Sequence, residues 1–176
     1  MVRYGLVASV ATGSAGMAPA EQTATSVHSS AVLHTVWGIM GYTRWPSDPQ
    51  TIHLCVAGQS EHGLALLGGT ELSGGRKVRG RPIQPQDRQA LEGCHVLYAG
   101  KIQRGQWAQL MEGWPEGQPL LTISEDAEHC QQGGMFCLNM AASPTVGFEL
   151  NLDSMARSGV RVNPRVFGLV RRKEVR

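Results

Sequence analysis

The chain has 176 residues, 41% of them hydrophobic and 17% charged, with a formal charge of +2. That length suits one domain with a sizeable core, and the near-neutral balance gives no basic field for nucleic acid. No apolar run approaches the roughly 18 residues a membrane-spanning helix requires.

The first residues differ in kind from the rest. Arg3 is followed by a small-residue, apolar stretch from Leu6 to Met17 and then Ala18-Pro19-Ala20. A charged start, an apolar middle and a small-x-small site is the order of an export signal. Thr12, Gly13, Ser14 and Gly16 weaken the apolar middle. Residues 1–25 are therefore expected to be a signal-like or unstructured segment, and 26–176 a single domain.

From Ser26 to Met40 the pattern is helical, with Val32 and Val36, and Leu33, Trp37 and Met40, forming an apolar face. His28 and His34 flank it as surface histidines. YTRWPSDP then breaks the chain with two prolines. TIHLCVAG (51–58) alternates as a strand, HGLALLGG (62–69) reads as a short helix, and RKVRGRPI (76–83) as a polar edge strand. Residues 85–92 suggest another short helix and CHVLYAG (94–100) a buried strand.

Trp107, Leu110, Met111 and Trp114 give residues 104–114 the spacing of an amphipathic helix. QPLLTISE (118–125) is a third buried strand. GMFCLNMA and TVGFELNL form a strand pair around Ala142-Ser143-Pro144. A short helix over 152–159 stops at Gly159, and Asn163-Pro164 caps a last helix whose apolar face is Val166, Leu169 and Val170. Strands alternating with helices, closed by two adjacent strands, predict an α/β three-layer sandwich with a mixed sheet flanked by helices. The glycine-rich stretches fit no phosphate-binding fingerprint.

Four cysteines allow three pairings. His129, Cys130 and Cys137 lack the close spacing and the fourth ligand of a zinc site. A thiol nucleophile needs a partner histidine in space, which adjacent His129 does not establish. Ser154 lacks the glycines of a nucleophile elbow, and no catalytic constellation, metal site or cofactor motif stands out. Covalent staples fit better. Gly133-Gly134 permits a reversal that returns Cys137 towards Cys130, and Cys55 and Cys94 lie on predicted neighbouring strands. On the chain-entropy account the long bridge contributes about 4 kcal/mol and the short one about 2.5 kcal/mol.

Five blocks carry a family resemblance: GYTRWP (41–46), HLCV (53–56), CHVLYAG (94–100), LLTISEDAEHCQQGGMFCLNM (120–140) and FELNLDSMARSGVRVNPRVFGLVRR (148–172). In order and spacing they resemble the YfiR family, over roughly residues 27–172. The resemblance implies an exported, periplasmic, homodimeric α/β repressor, not an enzyme, with disulfides Cys55–Cys94 and Cys130–Cys137. Its implied partners are the periplasmic region of a YfiN-like membrane diguanylate cyclase and a YfiB-like outer-membrane lipoprotein that sequesters the repressor. Release of the cyclase would raise cyclic-di-GMP and favour biofilm.

The same resemblance implies partner contacts at Glu149 and Met155, beside Leu152. It also implies a shallow anion or small aromatic pocket at Arg44, Trp45, Arg161 and Asn163. The family carries a histidine where this chain has Asn163, which removes a stacking ring. The plainer readings are that both arginines satisfy helix-end carbonyls and that Trp45 and Met155 are core residues. A periplasmic small-molecule binding protein using the Arg44/Arg161 pocket is the main alternative function, and an enzyme of unknown type a more distant one.

Overall fold

A computed structural model describes residues 19–60, 62–140 and 146–170. Most of the expected export segment, the Ala142-Ser143-Pro144 turn and the C-terminal cations lie outside the described residues. The first helix, α1 (Pro19–Gly41), begins earlier than the apolar pattern indicates. Its buried face is Val32, Val36, Ile39 and Met40, with Leu33 and Trp37 at the margin.

Two short strands, β1 (Thr43–Arg44) and β9 (Arg161–Val162), form a separate antiparallel ribbon. The main sheet contains β2 (Thr51–Ala57), β3 (Thr70–Glu71), β4 (Lys77–Ile83), β5 (Val96–Ala99), β6 (Leu121–Ser124), β7 (Phe136–Asn139) and β8 (Gly147–Leu150). Its order is β3-β4-β2-β5-β6-β7-β8, with β4, β2, β5, β6 and β7 parallel and the outermost strands β3 and β8 antiparallel. The expected α/β architecture with a mixed sheet is what the structure shows.

Strand alternation sorts the side chains into two cores. Ile52, Leu54, Val56, Val96, Tyr98, Leu121, Ile123 and Phe136 face α1. Cys55, Ala57, Leu97 and Ala99 face the other way, against Trp107 and Leu110 of α3 (Arg104–Glu112) and Leu91, Cys94 and Leu120. The α1 side also receives α2 (Gly63–Leu67) through Leu66, and the 3-10 helix Pro164–Leu169 through Val166.

Three local expectations change. β4 is not the outermost strand, because β3 pairs with Lys77 and Val78; among the described residues no further strand joins that side. Residues 85–92 form successive turns rather than a helix, held by three-residue backbone bonds such as Ala90 N–H to Asp87 O and Cys94 N–H to Leu91 O. Arg81 takes the Ala90 and Glu92 carbonyls, and the Asp87 carboxylate takes the Gln89 N–H, so side chains compete with helical bonding. The final helix, capped by Asn163 as expected, is 3-10 in form. The sequence pattern also missed α4 (Glu128–Gln131), the short helix that carries Cys130.

Both disulfides are present, with Cα separations of 5.9 Å for Cys55–Cys94 and 6.0 Å for Cys130–Cys137. The first ties β2 to the loop entering β5. The second ties α4 to β7 across Gly133, whose φ of 94° is accessible to glycine and rare for other residues. All four cysteines are buried. The bridges close 39 and 7 residues respectively. Replacing Cys55 and Cys94 by serine should therefore cost more stability, by about 1 kcal/mol or more, than replacing Cys130 and Cys137. Urea unfolding of the two double variants checks this; equal midpoints would contradict it.

Candidate functional site

The end of α1 organises the first candidate site. The last carbonyls of a helix have no intrahelical partners and carry its negative dipole end. Here Ile39 O accepts from the Thr43 hydroxyl at 2.8 Å, and Gly41 O accepts from the Arg44 guanidinium at 2.9 Å. Arg44 also donates to Thr43 O at 3.0 Å. A second arginine that sequence reasoning did not single out, Arg76, reaches Thr43 O at 3.3 Å and Gly41 O at 3.5 Å.

Arg76 is only 7% exposed, and its guanidinium lies 5.8 Å from the centre of the Trp45 ring. Burial, and then the charge of Arg44, draw it below the ordinary arginine range, with Asp48 opposing. The cation is held by carbonyl dipoles and a ring face rather than by a salt bridge; among the described residues the one salt bridge is Arg104–Glu128. Trp45 is itself 3% exposed, donates its indole N–H to His95 O at 3.0 Å and meets the His95 ring edge-on.

The β1–β9 ribbon sets Arg44 directly opposite Arg161. Like charges at such a pair repel, so the arrangement favours an anion over them. A cavity of about 440 Å³ is lined by Tyr42, Arg44, Ser73, Arg161, Asn163 and Arg165. A smaller crevice of about 340 Å³ is bounded by Arg44, Trp45, Pro46 and Arg161. Arg44 and Arg161 line both cavities; Asn163, with Arg165 and Ser73, lines only the larger, and Trp45 only the smaller. Trp45 contributes little exposed surface. The Asn163 amide oxygen is engaged as a helix cap by Arg165 N–H at 2.9 Å, leaving its NH₂ group for a ligand.

The partner-contact pair is divided. Glu149 is exposed on β8, opposite Cys137 in register, and therefore on the disulfide face. Met155, on α5 (Leu152–Arg157), is half-buried against the α1-side core. They flank the same terminal strand from different sides. Leu152 is 62% exposed and Phe167 is 45% exposed, and Phe167 stacks on Phe148 of β8 at 6.1 Å. The aromatic contact was not legible from spacing, because it joins β8 to the 3-10 helix.

The other nominated side chains are occupied. His129 stacks on Trp107 at 4.1 Å and shares a 2.6 Å hydrogen bond with the Ser124 hydroxyl. Burial is the main effect pulling its pKa below the ordinary histidine value, against the raising influence of Asp126, the Ile102 backbone and Glu128. Burial, and then His53, lower His95 likewise. Cys130 and Cys137 are bonded to each other. Among the described residues, no group of three or more potential ligands is placed to hold a metal ion.

The geometry defines a disulfide-stapled α/β domain whose outstanding features are surfaces: an arginine-rimmed cavity and exposed apolar groups near the terminal strand β8. Residues 29–171 match the YfiR/HmsC-like family, and the chain belongs to it. At the level of that family it is a periplasmic regulator of diguanylate cyclase, in a regulatory rather than a catalytic group. No helix among the described residues is long and apolar enough to cross a membrane.

Two stability measurements test this account. Arg76→Met removes two carbonyl partners and the contact with Trp45, and should cost about 2 kcal/mol in urea unfolding; a loss below about 0.5 kcal/mol would show that the buried cation is dispensable. For His129, the folded pKa lies below the unfolded value of 6.5. The unfolded chain therefore binds more protons between the two, and stability falls as pH drops below 6.5. His129→Gln should flatten the wild-type decline between about pH 7.5 and pH 5. An unchanged slope would remove His129 from the cause.

Proposed function

We propose that this protein is a non-enzymatic periplasmic inhibitor that binds the outer region of a YfiN-like membrane diguanylate cyclase. It lowers cyclic-di-GMP and biofilm formation, and a YfiB-like outer-membrane lipoprotein sequesters it. The observation that carries this reading is the family match across residues 29–171. The signal-like order of residues 1–20 and two buried disulfides, which persist in oxidising compartments, support export. The working form on this reading is a homodimer, and residues 26–176 act as one domain behind the segment 1–25.

Inhibition requires only that the repressor bind the inactive cyclase more tightly than the active one; the equilibrium moves by that difference. The β8–α5 region is the surface assigned to the partner. Glu149 supplies charge on one side of the strand, and Met155 and the exposed Leu152 supply adaptable apolar contact near its end. A second reading, small-anion or small-aromatic binding at Arg44, Arg161 and Asn163, draws support from the opposed arginines above the 440 Å³ cavity.

Cellular cyclic-di-GMP, measured in the native host with and without the gene, tests the main reading. Deletion should raise it, and the exported wild-type protein should restore it. Glu149→Lys, Met155→Ala and the combined Cys55→Ser/Cys130→Ser change should restore it poorly. No rise on deletion would refute repression. Full restoration by the cysteine variant would separate function from the staples.

A further inference from the structure

The five parallel strands end along one edge of the sheet, and the chain reverses direction across it there. From β2 it passes through α2 to β4 on one side; it then returns to place β5 on the other side of β2. α2 packs on the α1 face through Leu66, whereas α3, after β5, packs on the disulfide face through Trp107 and Leu110. Neighbouring loops that leave for opposite faces create a crevice at the strand ends, the usual ligand position in open α/β sheets.

Two cavities, of about 680 and 670 Å³, lie here and share Gln59, Ser60 and Lys101 as a wall. These volumes suit small molecules. Gln59 and Lys101 exchange backbone hydrogen bonds at 2.8 and 3.2 Å. Gly100 permits that approach, because a β-carbon there would lie 2.3 Å from Gln59 O.

The second cavity contains a carboxylate held in place from three strands. Glu125, just after β6, accepts through Oε1 from the Tyr98 hydroxyl of β5 at 2.6 Å and from the Ser60 hydroxyl after β2. The Ser60 oxygen accepts from His62 N–H at 3.0 Å and Gly63 N–H at 2.8 Å, so its single proton is directed to Glu125. Tyr98 is fully buried; burial, and then Glu125, push its pKa far up and keep it a donor. Among the described residues, Glu125 Oε2 has no hydrogen-bond partner and the carboxylate has no ion pair. Asp126 adds a second carboxylate to the wall, and Ala127 and Met140 add apolar surface.

We propose that this switch-point cavity is a binding site for a small organic amine. Its ammonium group is received by Glu125 Oε2 and its apolar stem runs along Ala127 and Met140. An ammonium needs one oriented acceptor and negative surroundings, whereas a metal ion needs several converging ligands, which the described residues do not assemble. Exposed Lys101 on the shared wall opposes a cation electrostatically and limits affinity.

Calorimetry and amide NMR on the full chain test this with hexylamine as probe, and hexan-1-ol and hexanoate as the neutral and anionic counterparts. Hexylamine should bind saturably and shift amides of Ser60, Glu125 and Ala127, with both counterparts binding much more weakly. Glu125→Gln keeps an acceptor for Ser60 and Tyr98 but loses the charge, and should weaken binding at least about tenfold. Lys101→Gln should tighten it several-fold. Equal binding of hexan-1-ol, unaltered affinity in Glu125→Gln, shifts centred on Arg44 and Arg161, or no saturable binding would each overturn the site. If Glu125→Gln loses the native spectrum, Lys101→Gln decides: tighter binding supports the site, and equal or weaker binding rejects it.

Discussion

The carbonyl end of α1 is the constraint on which much of the structure depends. A helix that ends inside a domain must have its last carbonyls satisfied or lose several kcal/mol in unpaired acceptors. Thr43 and Arg44, just past the helix, and Arg76, from just before β4, meet that need. In doing so they set β1 against β9, place Trp45 beneath Arg76 and leave Arg161 and Arg165 at the rim. The basic surface is thus in part a consequence of closing a helix. That explains how arginines can gather in a chain with a net charge of only +2.

The two faces of the sheet are secured by different physics. On the α1 side the packing is broad and apolar, and its stabilisation grows with buried area. On the other side, among the described residues, only one helix of any length, α3, covers the sheet, and the remainder is loops and the short α4. Both disulfides lie on that thinner side, together with the Trp107–His129 stack. Loops have little apolar area with which to offset the entropy of ordering them, so cross-links act where packing is least able to. A regulator that depends on that face is therefore coupled to the redox state of its compartment.

Legibility from sequence followed the range of the interactions. Alternation identified β2, and short apolar runs identified β5 and β6, whose residues are buried on both faces. The amphipathic spacing of α3 was equally clear. The two-residue strands β1, β3 and β9 carry no pattern of their own and exist through pairing, β1 with β9 far apart in the chain and β3 with the start of the nearby β4. Arg76 looked like a surface cation in a polar stretch; its burial follows from the fold bringing it to a helix end far away in sequence. The Glu125 arrangement was unreadable for the same reason. Its three hydroxyl and carboxyl groups lie on β5 and just past the ends of β2 and β6, and meet only once those strands are adjacent.

This division also bears on what kind of molecule the protein is. Of the side chains weighed for acid–base or nucleophilic chemistry, His129 is held between Trp107 and Ser124 and all four cysteines are in bridges. Groups that remain available include arginines at one end of α1, a carboxylate at the strand ends, and the apolar residues near the terminal strand β8. They are suited to reading charge and shape in other molecules. In a regulator that acts by differential affinity, such groups suffice. A ligand that favoured one arrangement of the strand-end loops, or of the β1–β9 ribbon, could change the regulatory outcome only through its unequal affinity for the states of the regulator.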